Sequence, residues 1–458
     1  MNRFFELTAR GSTIGREVRG GVTTFMAMAY IILLNPIILS GTTDVTGAKL
    51  TIPQLTTSTV TAAALSTLLM GLVGNAPFGL AAGLGLNAVV AYQAAPHMTW
   101  AQAMGLVVLE GLVIVVLAVS GLRRLIMNSI PLALKHAISV GIGMFIALIG
   151  LVDAGFVARG TGTPVQLGRT GHLTGWPVAV FCLGLLLMIV LYVRGVRGAI
   201  LIGIAVTAVL AIVVNRVVTI APEGWGVVVP RVPERVVALP DFGLIGQVDL
   251  FGGFARAGVV TATVVLFTLV LSGFFDAMGT IIGVSDEAGL VDARGRVPRL
   301  GAVLTVDGLA GAIGGFSSAS ANTVFVESAT GVGDGARTGL ASLATGGLFA
   351  LSLFFTPIAS VVPAAAASPA LVLVGALMMT QARNIPWGEL PLAIPAFLTI
   401  ALMPFTYSIT NGVGAGMVSY TVVRAATGRW REIPWLLWVV TVVFILYFAI
   451  EAVRGWFT

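Results

Sequence analysis

Residues 311–333 read GAIGGFSSASANTVFVESATGVG, and residues 74–92 read GNAPFGLAAGLGLNAVVAY. Both stretches are apolar enough to lie at membrane depth, yet both are interrupted by glycine and small polar residues that let the backbone leave helical geometry. Non-helical backbone inside a bilayer is tolerated only where protein or a watery cavity surrounds it. A pair of such broken segments at corresponding places in two halves of a chain is the sequence mark of a transporter's midplane binding site. Close helix packing through small residues is the structural alternative.

The surrounding chain fits that reading. Of 458 residues, 57% are apolar and 10% charged, and the mean hydropathy is +1.01. Soluble domains carry roughly a quarter charged residues. Apolar runs of about twenty residues, each able to cross the ~30 Å hydrocarbon layer, recur almost end to end. They lack the two-residue alternation of barrel strands, so an all-α polytopic membrane protein is expected. Seven runs fall near 20–40, 56–75, 78–95, 101–120, 131–152, 176–193 and 198–218. Seven more fall near 257–282, 300–315, 316–332, 338–360, 369–389, 391–406 and 408–425, with a further run at 435–450 that leaves the C-terminal count uncertain by one.

An odd number of crossings inverts whatever follows. The halves also echo each other. RGGVTT at 19–24 resembles RAGVVT at 256–261, an offset of 237, and nearly the same offset brings Pro131 onto Pro369, each expected to open a span. The expected organisation is therefore a segment 1–19 on the cytoplasmic surface, a first seven-span repeat over 20–218, an extracytoplasmic connector over 219–255 and an inverted second repeat over 256–458. Loop arginines, at 123–124, 194–197, 294–299 and 424–431, mark the cytoplasmic side of a multi-pass protein of the inner (cytoplasmic) cell membrane. They leave no basic soluble face for nucleic acid. The N-terminus lacks the central apolar run of a cleavable signal. A single cysteine, Cys182, excludes an internal disulfide, and His97, His136 and His172 are too scattered for a metal site. No cofactor or nucleotide-binding motif is present.

Four carboxylates, Glu110, Asp276, Asp307 and Glu327, fall inside apolar runs. Each costs about 2.5–3.5 kcal/mol at a helix centre, so such an acid persists when it faces a cavity, pairs or carries protons. Asp276 and Glu327 have no lysine or arginine within their spans, which points to a proton-coupled substrate site, against a pair of protonated acids capping backbone as the structural alternative. Asn87, in the other broken segment, can both donate and accept toward a heterocycle, or can tie down the interrupted backbone. Phe325 can stack on a planar ring or simply pack. Glu110 and Asp307 fit helix-to-helix ties or supports behind the ligands better than ligands.

The motifs GVTTFMAMAYIILLNP, GLGLNA, LEGLVIVVLAVSGLR, FFDAMGTIIGVSDEAGLVDARGRVPRLG and VESATGVGDGARTGL occur in order between about residues 18 and 430. They resemble the AzgA-like purine permeases of the nucleobase:cation symporter-2 (nucleobase-ascorbate transporter) superfamily. That resemblance implies about 14 transmembrane helices in a 7+7 inverted repeat, with spans 1–4 and 8–11 as a core domain, spans 5–7 and 12–14 as a gate, and spans 3 and 10 broken. It implies import of adenine, guanine or hypoxanthine with protons, no enzymatic activity, and a homodimer contact through the gate. It maps the span-8 acid onto Asp276, the span-10 acid onto Glu327 and the span-3 asparagine onto Asn87. The more distant uracil-type members have histidine where this chain has Thr280, and an aromatic where it has Phe325. Some members carry a second acid at the position of Gly273, and more polar residues at Val324 and Phe325, so substrate preference is open. An anion transporter, or a carrier of another small solute, of the same fold is the alternative. Two facing carboxylates argue against an anion site, which prefers helix N-termini and a cation.

Overall fold

Helix is the only way a single apolar run can satisfy its own backbone in lipid, and in the computed structural model the described spans follow that rule except at the two glycine-broken segments. It describes residues 2–120, 130–160, 162–218, 220–226, 228–290, 297 and 299–457. Arg123, Arg124, Arg294 and Arg296, taken above as topology markers, lie outside the described residues. Nine helical stretches among the described residues are long and apolar enough to cross a bilayer, which makes this a multi-pass membrane protein. The leading elements are α1 (Ile14–Met28) and α2 (Ile31–Ser40), joined by a one-turn break at Ala29–Tyr30, then α3 (Ile52–Leu69). After them come β1 (Leu80–Ala82), α4 (Leu84–Val89), α5 (Trp100–Ser120), α6 (Leu132–Asp153), α7 (Trp176–Val193) and α8 (Ala199–Val218).

The second half begins with α9 (Val259–Glu287) and α10 (Leu300–Phe316), followed by β2 (Asn322–Val324) and α11 (Ser328–Gly333). It continues through α12 (Gly339–Ser352), α13 (Ala364–Met378), α14 (Leu390–Phe405), α15 (Ile409–Ala426) and α16 (Trp435–Phe457). Pro369 does not open its helix as expected. It lies inside α13, whose N-cap is Pro363. The all-helical expectation also needs correction, because each glycine-broken segment contains a three-residue strand and a two-residue strand pair, Val157–Ala158 with Gln166–Leu167, lies between α6 and α7.

Those strands meet. β1 and β2 pair antiparallel, with Leu80 opposite Val324, Ala81 opposite Thr323 and Ala82 opposite Asn322. The pairing continues at both ends, where Gly83 N donates to Ala321 O at 3.0 Å and Phe325 N to Gly79 O at 3.0 Å. All six strand residues are buried, so a two-stranded ribbon must find partners for its outer edges within the protein. α3 supplies them on one side. Thr67 Oγ1 accepts from Leu80 N at 2.9 Å and donates to Leu80 O at 3.0 Å, and Asn322 Nδ2 donates to Ser66 Oγ at 3.1 Å. α10 supplies the other, since Asp307 Oδ1 accepts from Val324 N at 3.1 Å and Thr323 Oγ1 at 3.0 Å. The short helices α4 and α11 start immediately after the ribbon.

α5 and α10 form the most extensive helix pair, held at backbone distance by glycine. A Cβ at Gly111 would stand 2.2 Å from Ala312 N, and one at Gly308 would stand 2.8 Å from Val115 N. Small residues at such a seam let van der Waals contact replace the hydrophobic driving force that lipid does not provide. The N-terminal segment is tied to the same body. Glu17, fully buried, accepts from Arg337 N at 2.9 Å and Thr338 N at 3.2 Å at the start of α12, and Arg10 Nη1 donates to Asn75 O at 2.8 Å.

Candidate functional site

The α1–α2 break and the segment that follows β2 meet at Tyr30, Phe325 and Glu327. Tyr30, 1% exposed, donates from Oη to Glu327 Oε1 at 2.5 Å. Glu327 is the N-cap residue of α11, so the broken backbone sets where its carboxylate stands. The Phe325 ring lies 6.4 Å from the Tyr30 ring at 47°, and the two form one aromatic wall beside the carboxylate.

Asp276 projects from α9 within electrostatic reach of Glu327, Tyr30 and Asp307. It is exposed, and Glu327 is half-buried. Among the described residues Asp276 accepts no hydrogen bond, so both of its oxygens are available. Thr280 is half-buried one turn along the same helix. Asn87, on α4, is fully buried, and neither Nδ2 nor Oδ1 has a partner. An unpaired buried amide costs about 1–3 kcal/mol, so a group outside the described protein atoms is the natural claimant for it.

Asp307 and Glu110 stand behind this site. Asp307 spends Oδ1 on the strand β2, as described. Glu110, 1% exposed, lies against two glycines: a Cβ at Gly273 would come 2.5 Å from its Oε1, and one at Gly311 would come 2.8 Å from its Oε2. The glycine at position 273 thus makes room for a carboxyl reaching across from α5. Glu110 Oε2 has no hydrogen-bond partner, and the residue interacts electrostatically with Asp307. The structure therefore brings Asp276, Glu327 and Phe325 together, sets Asp307 and Glu110 in a row behind them, and places Thr280 on the Asp276 helix.

Sequence reasoning missed Tyr30. A lone tyrosine in MAMAYIILLNP carries no local sign of its partner 297 residues away. It also missed two polar bridges between the elements around the site and the helices α6–α8 and α13–α15. On one side, Arg197 Nη2 in the α7–α8 turn meets Asp334 Oδ1 at 2.5 Å, while Thr23 Oγ1 donates to Asp334 Oδ2 at 2.5 Å and Arg19 Nη2 to Asp334 O at 2.9 Å. Tyr192, at the end of α7, lies within electrostatic reach of Glu327. On the other side, Gln93 Oε1 accepts from Thr410 N at 3.0 Å and from Thr410 Oγ1, and Tyr407 packs edge-on to Tyr92 at 5.3 Å and Phe145 at 5.1 Å.

A cavity of about 270 Å³ between α5, α9, α15 and α16 has an apolar lining that includes Leu117, Phe267, Met417 and Val440. It contains none of the site carboxylates. No group of three His, Cys, Asp or Glu able to hold a metal ion occurs among the described residues.

Paired broken segments that cross inside a helical membrane body, with carboxylates beside the crossing, are the arrangement of a solute carrier's binding site. Its fold is that of the transmembrane domain of a cyanobacterial bicarbonate transporter, BicA, with a TM-score of 0.62 at 16% identity over 88% of this chain and 97% of that one. The sequence matches the permease family model for xanthine/uracil permeases over residues 15–414, and the chain belongs to that family. It is 37% identical to the guanine/hypoxanthine permease PbuO of Bacillus subtilis over 96% of this chain and 99% of that protein. It is 36% identical to the adenine permease AdeP of Escherichia coli over 97% of this chain and 95% of that one. Membership makes it a transporter.

Proposed function

We propose that this permease imports purine nucleobases, adenine, guanine or hypoxanthine, together with protons. The observation that carries the reading is the juxtaposition of Asp276, Glu327 and the aromatic pair Tyr30 and Phe325 at the ribbon of the two broken segments. A neutral heterocycle needs a flat apolar wall and acceptors for its ring N–H groups, and that surface offers both. Asn87, with an unclaimed donor and acceptor, is the third substrate ligand, and Thr280 lines the same helix. Glu327 and Asp276 carry the coupling proton between them as an interacting pair, while Asp307 and Glu110 hold the ribbon and the α9–α10 seam in place behind them.

The finer architecture follows the same reading. The chain has fourteen spans in a 7+7 inverted repeat, with α16 added after the last. Spans 1–4 and 8–11 form a core that carries the site, and spans 5–7 and 12–14 form a gate that also offers the homodimer surface. Alternating access is the movement of one against the other, with Arg197–Asp334 and Gln93–Thr410 as contacts broken in turn. The N-terminal segment, Arg197 and Arg299 share one face, since Arg197 reaches Asp334 beside Thr23 and Arg299 reaches Glu6 at 3.4 Å. That basic face is cytoplasmic by the positive-inside rule, in the inner membrane.

The fold shared with a bicarbonate transporter supports an anion carrier as the second reading. Two carboxylates beside the crossing disfavour it, because an anion there would meet repulsion. Uptake of labelled hypoxanthine into vesicles, with and without an imposed proton gradient, separates the two. Saturable, gradient-driven uptake that is lost in Glu327→Gln supports purine symport. Uptake of bicarbonate and none of purine refutes it.

A further inference from the structure

The cavity between α5, α9, α15 and α16 takes no part in the site, and its chemistry is not that of a solute pathway. It holds about 270 Å³, and Leu117, Phe267, Met417, Leu437 and Val440 line it. Thr263 is the one polar side chain of the wall. A buried water needs about three polar partners, and a nucleobase placed here would leave its donors and acceptors unpaired. Beside the cavity, Val116 of α5 and Val439 of α16 are exposed apolar residues, as a surface in contact with lipid requires. A hydrocarbon chain drawn from the bilayer suits both the space and its lining.

One end of the cavity has a different character. Leu436 and Leu437, which line it, stand in the first turn of α16, and the chain that leads into them reads RAATGRWREIPW over 424–435. Three arginines stand there against one acid. Glu432 accepts from Arg424 Nη1 at 3.3 Å and from Arg429 Nε at 2.8 Å. Arg431 makes no ion pair among the described residues, and its guanidinium carbon lies 5.2 Å from the centre of the Trp430 ring. Trp430 and Trp435 are both exposed, and tryptophan beside arginine at the end of an apolar helix is the composition of a membrane–water interface. We propose that an anionic phospholipid binds here, with one acyl chain in the cavity and its phosphate at Arg431. The charge excess suits an anionic headgroup, and the chain occupies a space that otherwise leaves its walls without contacts. Because α9 carries Asp276 and walls the cavity together with α15, the lipid packs between the helix that bears the site and its neighbour. The proposal is independent of which solute is carried.

The test titrates the full-length protein in detergent with dioleoylphosphatidylglycerol or dioleoylphosphatidylcholine, reading bound lipid by native mass spectrometry and thermal midpoints in parallel. Phosphatidylglycerol should bind more tightly than phosphatidylcholine and should raise the midpoint. Arg431→Gln removes an exposed charge, so it should weaken phosphatidylglycerol binding about fivefold and leave the lipid-free midpoint unchanged. Val440→Trp fills the cavity from within and should abolish the midpoint shift while the arginines stay in place. Thr263→Phe fills it from the α9 side and is read by the same criterion if Val440→Trp does not fold. Equal affinity for the two lipids, or undiminished phosphatidylglycerol binding in Arg431→Gln, overturns the proposal. So does a full midpoint shift in a folded cavity-filling variant, which would place the chain elsewhere. Glycerol 3-phosphate that stabilises the wild type as much as the intact lipid would reveal an anion site without an acyl chain, and overturns it as well.

Discussion

Replacing Gly111 with alanine adds one methyl group where the structure has no room for it. The new Cβ would lie 2.2 Å from Ala312 N, 2.5 Å from Gly308 O and 2.9 Å from Ala312 Cα. Ordinary van der Waals contact begins at 3.4 Å, and the obstructing atoms are backbone, so no rotamer change relieves the clash. α5 and α10 must part by roughly 1 Å, and overpacking of this kind costs about 1–3 kcal/mol. The displacement does not stay at the seam, because α10 carries Asp307, whose Oδ1 holds Val324 N and Thr323 Oγ1 of β2. β2 leads directly into Phe325 and Glu327. Gly111→Ala should therefore lower the thermal midpoint in detergent and, in the protein that remains folded, weaken purine binding. Gly347→Ala is the control. Its Cβ would meet nothing within 4 Å, and inside α12 alanine should gain about 0.5–1 kcal/mol over glycine. The two substitutions should have opposite signs. Equal midpoints and equal purine affinities for Gly111→Ala, Gly347→Ala and wild type would refute the claim that the glycine seam positions the site.

Three further outcomes are expected. Asn87→Ala removes a buried amide whose two polar atoms have no partner, so it should leave thermal stability unchanged or higher while lowering purine affinity about tenfold; a destabilised protein with wild-type affinity would mark Asn87 as a backbone tie. Arg197→Ala removes an ion pair that is largely exposed on the arginine side, worth at most about 1 kcal/mol, or roughly a fivefold shift toward states in which the bridge is open. A cysteine placed at Thr23 in a Cys182-free background should then react faster with a membrane-impermeant thiol reagent, and an unchanged rate would remove the bridge from the gating scheme. Asp44 lies in the loop after α2, where burial pushes its carboxyl up but hydrogen bonds from Thr46, Trp100 and Ala48 outweigh that and hold it below the usual range. Because the folded value is depressed, its contribution is complete above the ordinary carboxylate range and is lost as pH falls through the folded value. Thermal melts should therefore separate wild type from Asp44→Asn at pH 7, with the gap starting to close only below about pH 4, and a gap that did not narrow as pH fell further would contradict this account.

Much of this protein is legible in the chain alone, because the determining forces are local. Twenty apolar residues in a row must cross lipid as a helix, and a run broken by glycine and serine cannot do so unaided. An acid inside such a run is costly enough to need a reason, so Asp276 and Glu327 stand out in the sequence as candidate site residues. What tertiary structure alone decided is how these residues are partnered. The antiparallel ribbon joins segments whose strand residues are more than two hundred positions apart, the Tyr30 hydroxyl meets a carboxylate 297 residues away, and Gly273 is vacant because Glu110 fills its place from another helix. None of these leaves a trace in local composition. Hydropathy records each residue's transfer from water to lipid, whereas a hydrogen bond or a glycine contact depends on which two backbones approach, and only the folded chain sets that.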